Sequence, residues 1–171
     1  MLALLLLSYA NKRNVYNRFD EDESFEESNE EFSENEGLVP PVVTNGIPAT
    51  HSLMLKLVNQ ERSKKKLNSL SYSQKLSTIV KSHNDGMISG KVKFGHDGFN
   101  SRYKKSGMSY AGENVAYCYA NDGTSAVKQL HKMWMNSSGH KANILGNFVY
   151  FGFALGHKGQ QYYGTQFFGR K

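Results

Sequence analysis

From residue 49 onward, stretches whose apolar side chains recur every three or four positions give way to stretches that are apolar in runs. Leu53, Leu57 and Val58 form the first helical stripe, with Thr50 placed to cap it. Ser73 is placed to cap a second helix, in which Leu76, Ile79, Val80, His83 and Met87 share a face and Gly90 marks the stop. A short third helix is predicted from Phe99 to Ser106, ahead of Gly107. A fourth starts at Thr124 and turns Val127, Leu130, His131 and Trp134 to one side. Strand-like runs cover Asn114–Tyr119, Phe148–Leu155 and Gln161–Phe168, and Gly156-His157-Lys158-Gly159 joins the last two as a hairpin. Helices come early and paired strands late, which predicts an α+β or layered mixed fold rather than βαβ winding.

The N-terminal third follows neither pattern. Residues 1–10 are an apolar run ending in Ser8-Tyr9-Ala10, which fits a signal-peptidase site and predicts secretion, although the usual basic start is missing. An apolar N-terminal strand or an uncleaved anchor are the other readings of that run. Residues 11–48 form an acidic arm followed by a linker marked by Pro40-Pro41 and Gly46-Ile47-Pro48. Dense like charge with few branched apolar residues cannot offset the entropy of ordering, so the arm is expected to be disordered. That leaves residues 49–171 as one folded domain, long enough within the 171-residue chain to bury a core.

Charge divides the chain at the same place. The formal net charge is +6. Residues 1–36 carry three Lys/Arg against ten acidic residues, a balance of −7, and the remainder carries eighteen against five, a balance of +13. A basic domain of that strength favours anionic partners such as an acidic membrane surface or a polysaccharide. The basic runs Ser63-Lys64-Lys65-Lys66 and Tyr103-Lys104-Lys105 lack the interleaved aromatics of a single-strand binder, so nucleic acid is a minor reading. The single cysteine, Cys118, excludes an internal disulfide framework, and in its apolar strand it reads as buried and inert. No run of 18 apolar residues appears, so no conventional membrane span is expected.

Few residues can carry chemistry. After Glu36 the only glutamates are Glu61 and Glu113, and Glu113 opens an apolar strand in Gly112-Glu113-Asn114-Val115-Ala116. A carboxylate entering a buried strand needs partners. His96, in Gly95-His96-Asp97, and His140, in Ser137-Ser138-Gly139-His140, are the available ones. Two histidines and a glutamate can hold a divalent cation or form a hydrogen-bonded polar cluster. Their spacings, 17 and 27 residues, match no local zinc motif, and both readings stay open. His83 and His131 lie on apolar stripes and read as core or cleft-edge residues. Asn136-Ser137-Ser138 is a glycosylation sequon set within the same segment as His140.

Taken in order, several blocks resemble the CAP superfamily of cysteine-rich secretory proteins, antigen five and plant pathogenesis-related proteins. They are Asn59-Gln60-Glu61-Arg62, Gly95-His96, Gly112-Glu113-Asn114-Val115-Ala116, Trp134 through Leu145, Phe151-Gly152-Phe153-Ala154 and Tyr163-Gly164-Thr165-Gln166-Phe167-Phe168. They cover about residues 50–169, and the disulfide-poor, Ser-Gly-His-Lys-Ala-Asn-Ile-Leu form looks closest to the short single-domain SCP-like branch common in bacteria. The resemblance implies a three-layer α-β-α sandwich with a mostly antiparallel central sheet. It also implies a cleft in which two histidines and two glutamates can bind a divalent metal. His96 matches the first histidine, Glu113 one glutamate and His140 the second histidine. The second glutamate has no match, because Met135-Asn136-Ser137-Ser138 follows Trp134, and neither Asn136 nor Ser137 supplies a carboxylate's charge.

The functional expectation is a secreted lipid- or sterol-binding or partner-binding module, monomeric or weakly dimeric, holding zinc or another divalent cation weakly if at all. Its rival is a metal-dependent protease or esterase in which Glu113 acts as base on a water held by His96 and His140. A third reading is an adhesion or signalling protein acting through surface loops.

Overall fold

The computed structural model describes residues 6–11, as backbone, and residues 46–171. The acidic arm and most of the linker lie outside the described residues. Within the described residues ten elements follow in chain order. They are β1 (Leu6–Asn11), α1 (Ala49–Lys64), β2 (Ser71–Tyr72), α2 (Gln74–Ile88), α3 (Phe99–Ser106), β3 (Tyr110–Tyr119), α4 (Gly123–Met135), α5 (Ser138–Ile144), β4 (Tyr150–Lys158) and β5 (Gln161–Arg170).

Helix starts follow local chemistry. Ser73 Oγ accepts the Leu76 N–H at 3.3 Å and starts α2 as expected. Asp122 caps α4, its carboxylate accepting from Ser125 N at 2.9 Å and Ser125 Oγ at 2.7 Å, so that helix begins at Gly123, one residue before Thr124. Thr50 is not a cap. Pro48, at φ −55° and ψ 142°, ends the extended segment, and its carbonyl accepts from His51 N and Ser52 N. Thr50 therefore falls inside the first turn of α1, where no side-chain cap is made. The sequence pattern did not resolve α5 or the two-residue β2.

The sheet runs β1-β3-β5-β4-β2, with three antiparallel pairings and a parallel one between β2 and β4. The run that reads as a secretion signal thus contributes an edge strand, with Tyr9 in register opposite Glu113. Alternation along β3 divides its side chains between two faces. Ala116 and Cys118 join the larger core with Val58 of α1, Leu130 and Trp134 of α4 and Phe151 and Phe153 of β4, all fully buried. Ala111 joins a smaller cluster with Leu76 and Val80 of α2, Phe99 of α3 and Phe167 of β5. Helices thus cover both faces of a mixed, mostly antiparallel sheet. The result is an α-β-α sandwich. Helix α2 sits very close to β4: a Cβ at Gly152 would lie 2.5 Å from Leu76 Cβ and 2.6 Å from the backbone of Leu76 and Ser77. No helix among the described residues is long and apolar enough to cross a membrane.

Candidate functional site: a buried glutamate, its arginine and two histidines

Glu113 lies in β3 two residues after Ala111, so it shares the face covered by α2 and α3. It is fully buried. Helix α3 supplies its main partner. Two glycines in the left-handed region, Gly98 (φ 78°) and Gly107 (φ 70°), bracket this eight-residue helix. Phe99, Arg102 and Ser106, spaced three and four apart, form its inward face. Arg102 Nε donates to Glu113 Oε2 at 2.7 Å and Nη2 donates to Oε1 at 2.7 Å, a bidentate pair. Arg102 is held from behind by the carbonyls of Asp97, 2.8 Å from Nη1, and His96, 3.3 Å from Nη2.

His96 completes the pair, its Nδ1 lying 2.9 Å from Glu113 Oε1. Burial raises the carboxyl pKa, but the hydrogen bonds from His96 and Arg102 and the guanidinium charge outweigh it and hold Glu113 below its ordinary value. Glu113 is therefore an anion at neutral pH, and His96 Nδ1–H donates to it. His83, on α2, stands behind the pair with Nε2 2.7 Å from the Gly95 carbonyl. Burial chiefly, and then the charge of Arg102, lowers its pKa, so His83 is a neutral donor to that carbonyl.

His140 is also buried. It sits on α5, with Nδ1 2.6 Å from Ser137 Oγ, and its carbonyl accepts from Asn114 Nδ2 at 3.2 Å. Asn114 also donates to Gln166 Oε1 at 2.9 Å and accepts from Asn143 Nδ2 at 2.8 Å. Among the described residues no three His, Cys, Asp or Glu side chains gather so as to hold a metal ion. Of the sequence-derived set, His96 and Glu113 are in direct contact and His140 bonds Ser137. Asn136 is exposed at the C-cap of α4, and Ser137 bonds His140.

Arg102 escaped the sequence reading because it opens the run Arg102-Tyr103-Lys104-Lys105, which reads as a solvated basic face. The recoverable signal was the three-and-four spacing from buried Phe99 to Ser106. Of the other candidates, Cys118 is buried and its thiol is pushed up to about 11 by burial, which makes it inert.

An α-β-α sandwich in which a buried glutamate of an inner strand pairs with a histidine defines a protein class. The family model for the cysteine-rich secretory protein (CAP) family matches residues 55–169. The chain belongs to the CAP family. The uncharacterized protein YkwD of Bacillus subtilis is 33% identical over 116 residues, covering 63% of this chain and 43% of its own. The crystal structure of an extracellular protein containing a SCP domain from Bacillus anthracis superposes with a TM-score of 0.56 at 28% identity, over 80% of this chain and 45% of that one. An outer surface protein of Borrelia burgdorferi shares the fold at a TM-score of 0.60 and 16% identity, over 70% of this chain and 90% of that one. The chain therefore spans less than half the length of the two Bacillus relatives.

Proposed function

We propose that this CAP domain is an extracellular binding module for a lipid- or sterol-like ligand, rather than a metal-dependent hydrolase. The observation that carries the reading is the state of Glu113. Three N–H donors converge on its two oxygens and its proton affinity is lowered, whereas a general base works best with a pKa near the operating pH. Cys118 is no nucleophile, and no metal cluster forms among the described residues to activate water. Export is supported by relatives described as extracellular or outer-surface proteins. The basic domain suits an anionic membrane surface or polysaccharide as the place where the ligand is met. A partly exposed aromatic group continues the Glu113 face of the sheet: Tyr117 packs on Phe94 at 5.2 Å and Tyr163 at 5.8 Å, beside exposed Tyr119. Rings that are half wet and half packed suit contact with an apolar ligand.

The test pairs a fluorescent sterol and phospholipid panel with ester and peptide substrates, with and without chelator, on the full chain and on Glu113→Gln. The expected result is saturable lipid or sterol binding by both proteins and no chelator-sensitive turnover. Turnover that chelator removes and Glu113→Gln abolishes would establish the hydrolase instead, since general-base catalysis contributes ~10²–10⁴-fold.

A further inference from the structure

The family's cleft implies a divalent metal, and the donors present here do not fit one. The position of the second glutamate is taken by the segment Asn136-Ser137, which offers no carboxylate. Both oxygens of Glu113 already receive N–H donors from Arg102, and the ring nitrogen of His96 nearest the carboxylate is committed to the same anion. In that tautomer the one lone pair His96 keeps is on Nε2, a single nitrogen where a metal site needs three or four ligands.

We propose that Arg102 is the resident cation of this cleft: its guanidinium holds Glu113 where a divalent ion would otherwise sit, and so excludes zinc from the site. Three features make the replacement firm. A guanidinium cannot lose its proton in a protein, so no accessible pH vacates the position. The pair is bidentate and buried, and a divalent ion can reach the carboxylate only by breaking it. The carbonyls of Asp97 and His96 hold Arg102 from behind, so that four of its five N–H groups are engaged. The glycine-bracketed α3 places this arginine in the cleft, and one residue therefore decides which kind of cation the cleft carries.

This deepens the binding-module reading of the same cleft, and the two fail separately, because zinc affinity and turnover are independent readouts. Zinc, and cobalt(II) as a spectroscopic probe, are titrated calorimetrically into the full-length wild type, Glu113→Gln, Arg102→Ala, Arg102→Lys and the Arg102→Ala/Glu113→Gln double variant. Wild type and Glu113→Gln are expected to give superimposable isotherms. Arg102→Ala should gain a site at least ~10-fold tighter than any in the wild type, with a cobalt ligand-field band, and the double variant should lose it. Arg102→Lys, which keeps the charge, should bind no more zinc than the wild type. A wild-type site that weakens ~10-fold or more in Glu113→Gln overturns the proposal, as does a folded Arg102→Ala without the gain. Should Arg102→Ala not fold, the wild-type and Glu113→Gln comparison decides alone.

Discussion

Among the described residues two arginines are buried, one in each helical layer, and they are neutralised in different ways. Arg62, on α1, meets no carboxylate. Its Nε donates to the Asn68 carbonyl at 2.8 Å, and Nη1 donates to the carbonyls of Ile144 at 2.9 Å and Gly146 at 2.7 Å. It ties α1 to the C-terminal end of α5, where helix carbonyls lack partners of their own. Arg102, in the opposite layer, faces a full negative charge in Glu113. The first arginine is a fastener held by dipoles. The second is half of a buried charge pair. The layers differ in the same sense for histidine: His131 is buried between α4 and α1 with no partner for Nδ1 among the described residues, whereas His96 is bonded to an anion.

The largest effect should separate the arginines. Arg102→Met leaves the buried charge of Glu113 to His96 alone and is expected to cost about 4 kcal/mol in denaturant unfolding. Adding Glu113→Gln should recover at least half of that loss. Arg62→Met strands carbonyls rather than a charge, at roughly 3 kcal/mol, and Glu113→Gln should rescue none of it. Equal rescue of both arginine variants would erase the distinction.

Acid should strike the layers in sequence. Burial lowers His131 to about 4 from an ordinary 6.5, with Glu61 raising and Lys64 lowering it as lesser influences. Between those values the unfolded chain binds a proton that the folded chain refuses, so stability falls as pH drops from 6.5 toward 4. The full window is worth on the order of 3 kcal/mol. Glu113 acts later: its folded pKa lies below 4.5, so its contribution is present above that pH and is lost as pH falls through the lowered value. Unfolding free energies measured from pH 7 to 4.5 should decline steeply for the wild type and clearly less for His131→Leu. Parallel declines would remove His131 as the cause.

The smallest effect concerns helix starts. Ser73→Ala should cost about 1 kcal/mol, because it removes the α2 cap. Thr50→Ala should stay within ~0.5 kcal/mol by thermal unfolding, because Pro48 rather than Thr50 precedes α1.

That contrast also shows what the sequence could disclose. The stripe from Leu76 to Met87 and the stop at Gly107 are local signals, and α2 and α3 fell where they pointed. Thr50 and Asp122 both lie near helix starts, and only backbone angles, which a residue pattern does not carry, decide which one caps. Helix α5 has seven residues, too few for a periodic stripe to stand out. The His96–Glu113 pair was legible because an isolated glutamate entering an apolar strand demands a partner. Arg102 was not, because inwardness in so short a helix depends on which face the sheet covers. His140 was grouped with Glu113 as an available histidine and by family likeness, and in the folded chain its Nδ1 bonds Ser137.

Gly152 sets a tolerance for the whole site around Glu113. Bare backbone there lets α2 rest directly on β4, so the clearance between helix and sheet is set by atoms that have no rotamers to adjust. A methyl group at this position would act as a shim under α2. It would lift Leu76 and Ser77, and with the same rigid helix the imidazole of His83 and the Gly95 carbonyl it holds. The bonds between Arg102, His96 and Glu113 span 2.7–2.9 Å, and they would be stretched from a point far from any of them in the chain. One glycine of the sheet thus acts as the gauge to which the charged pair is built.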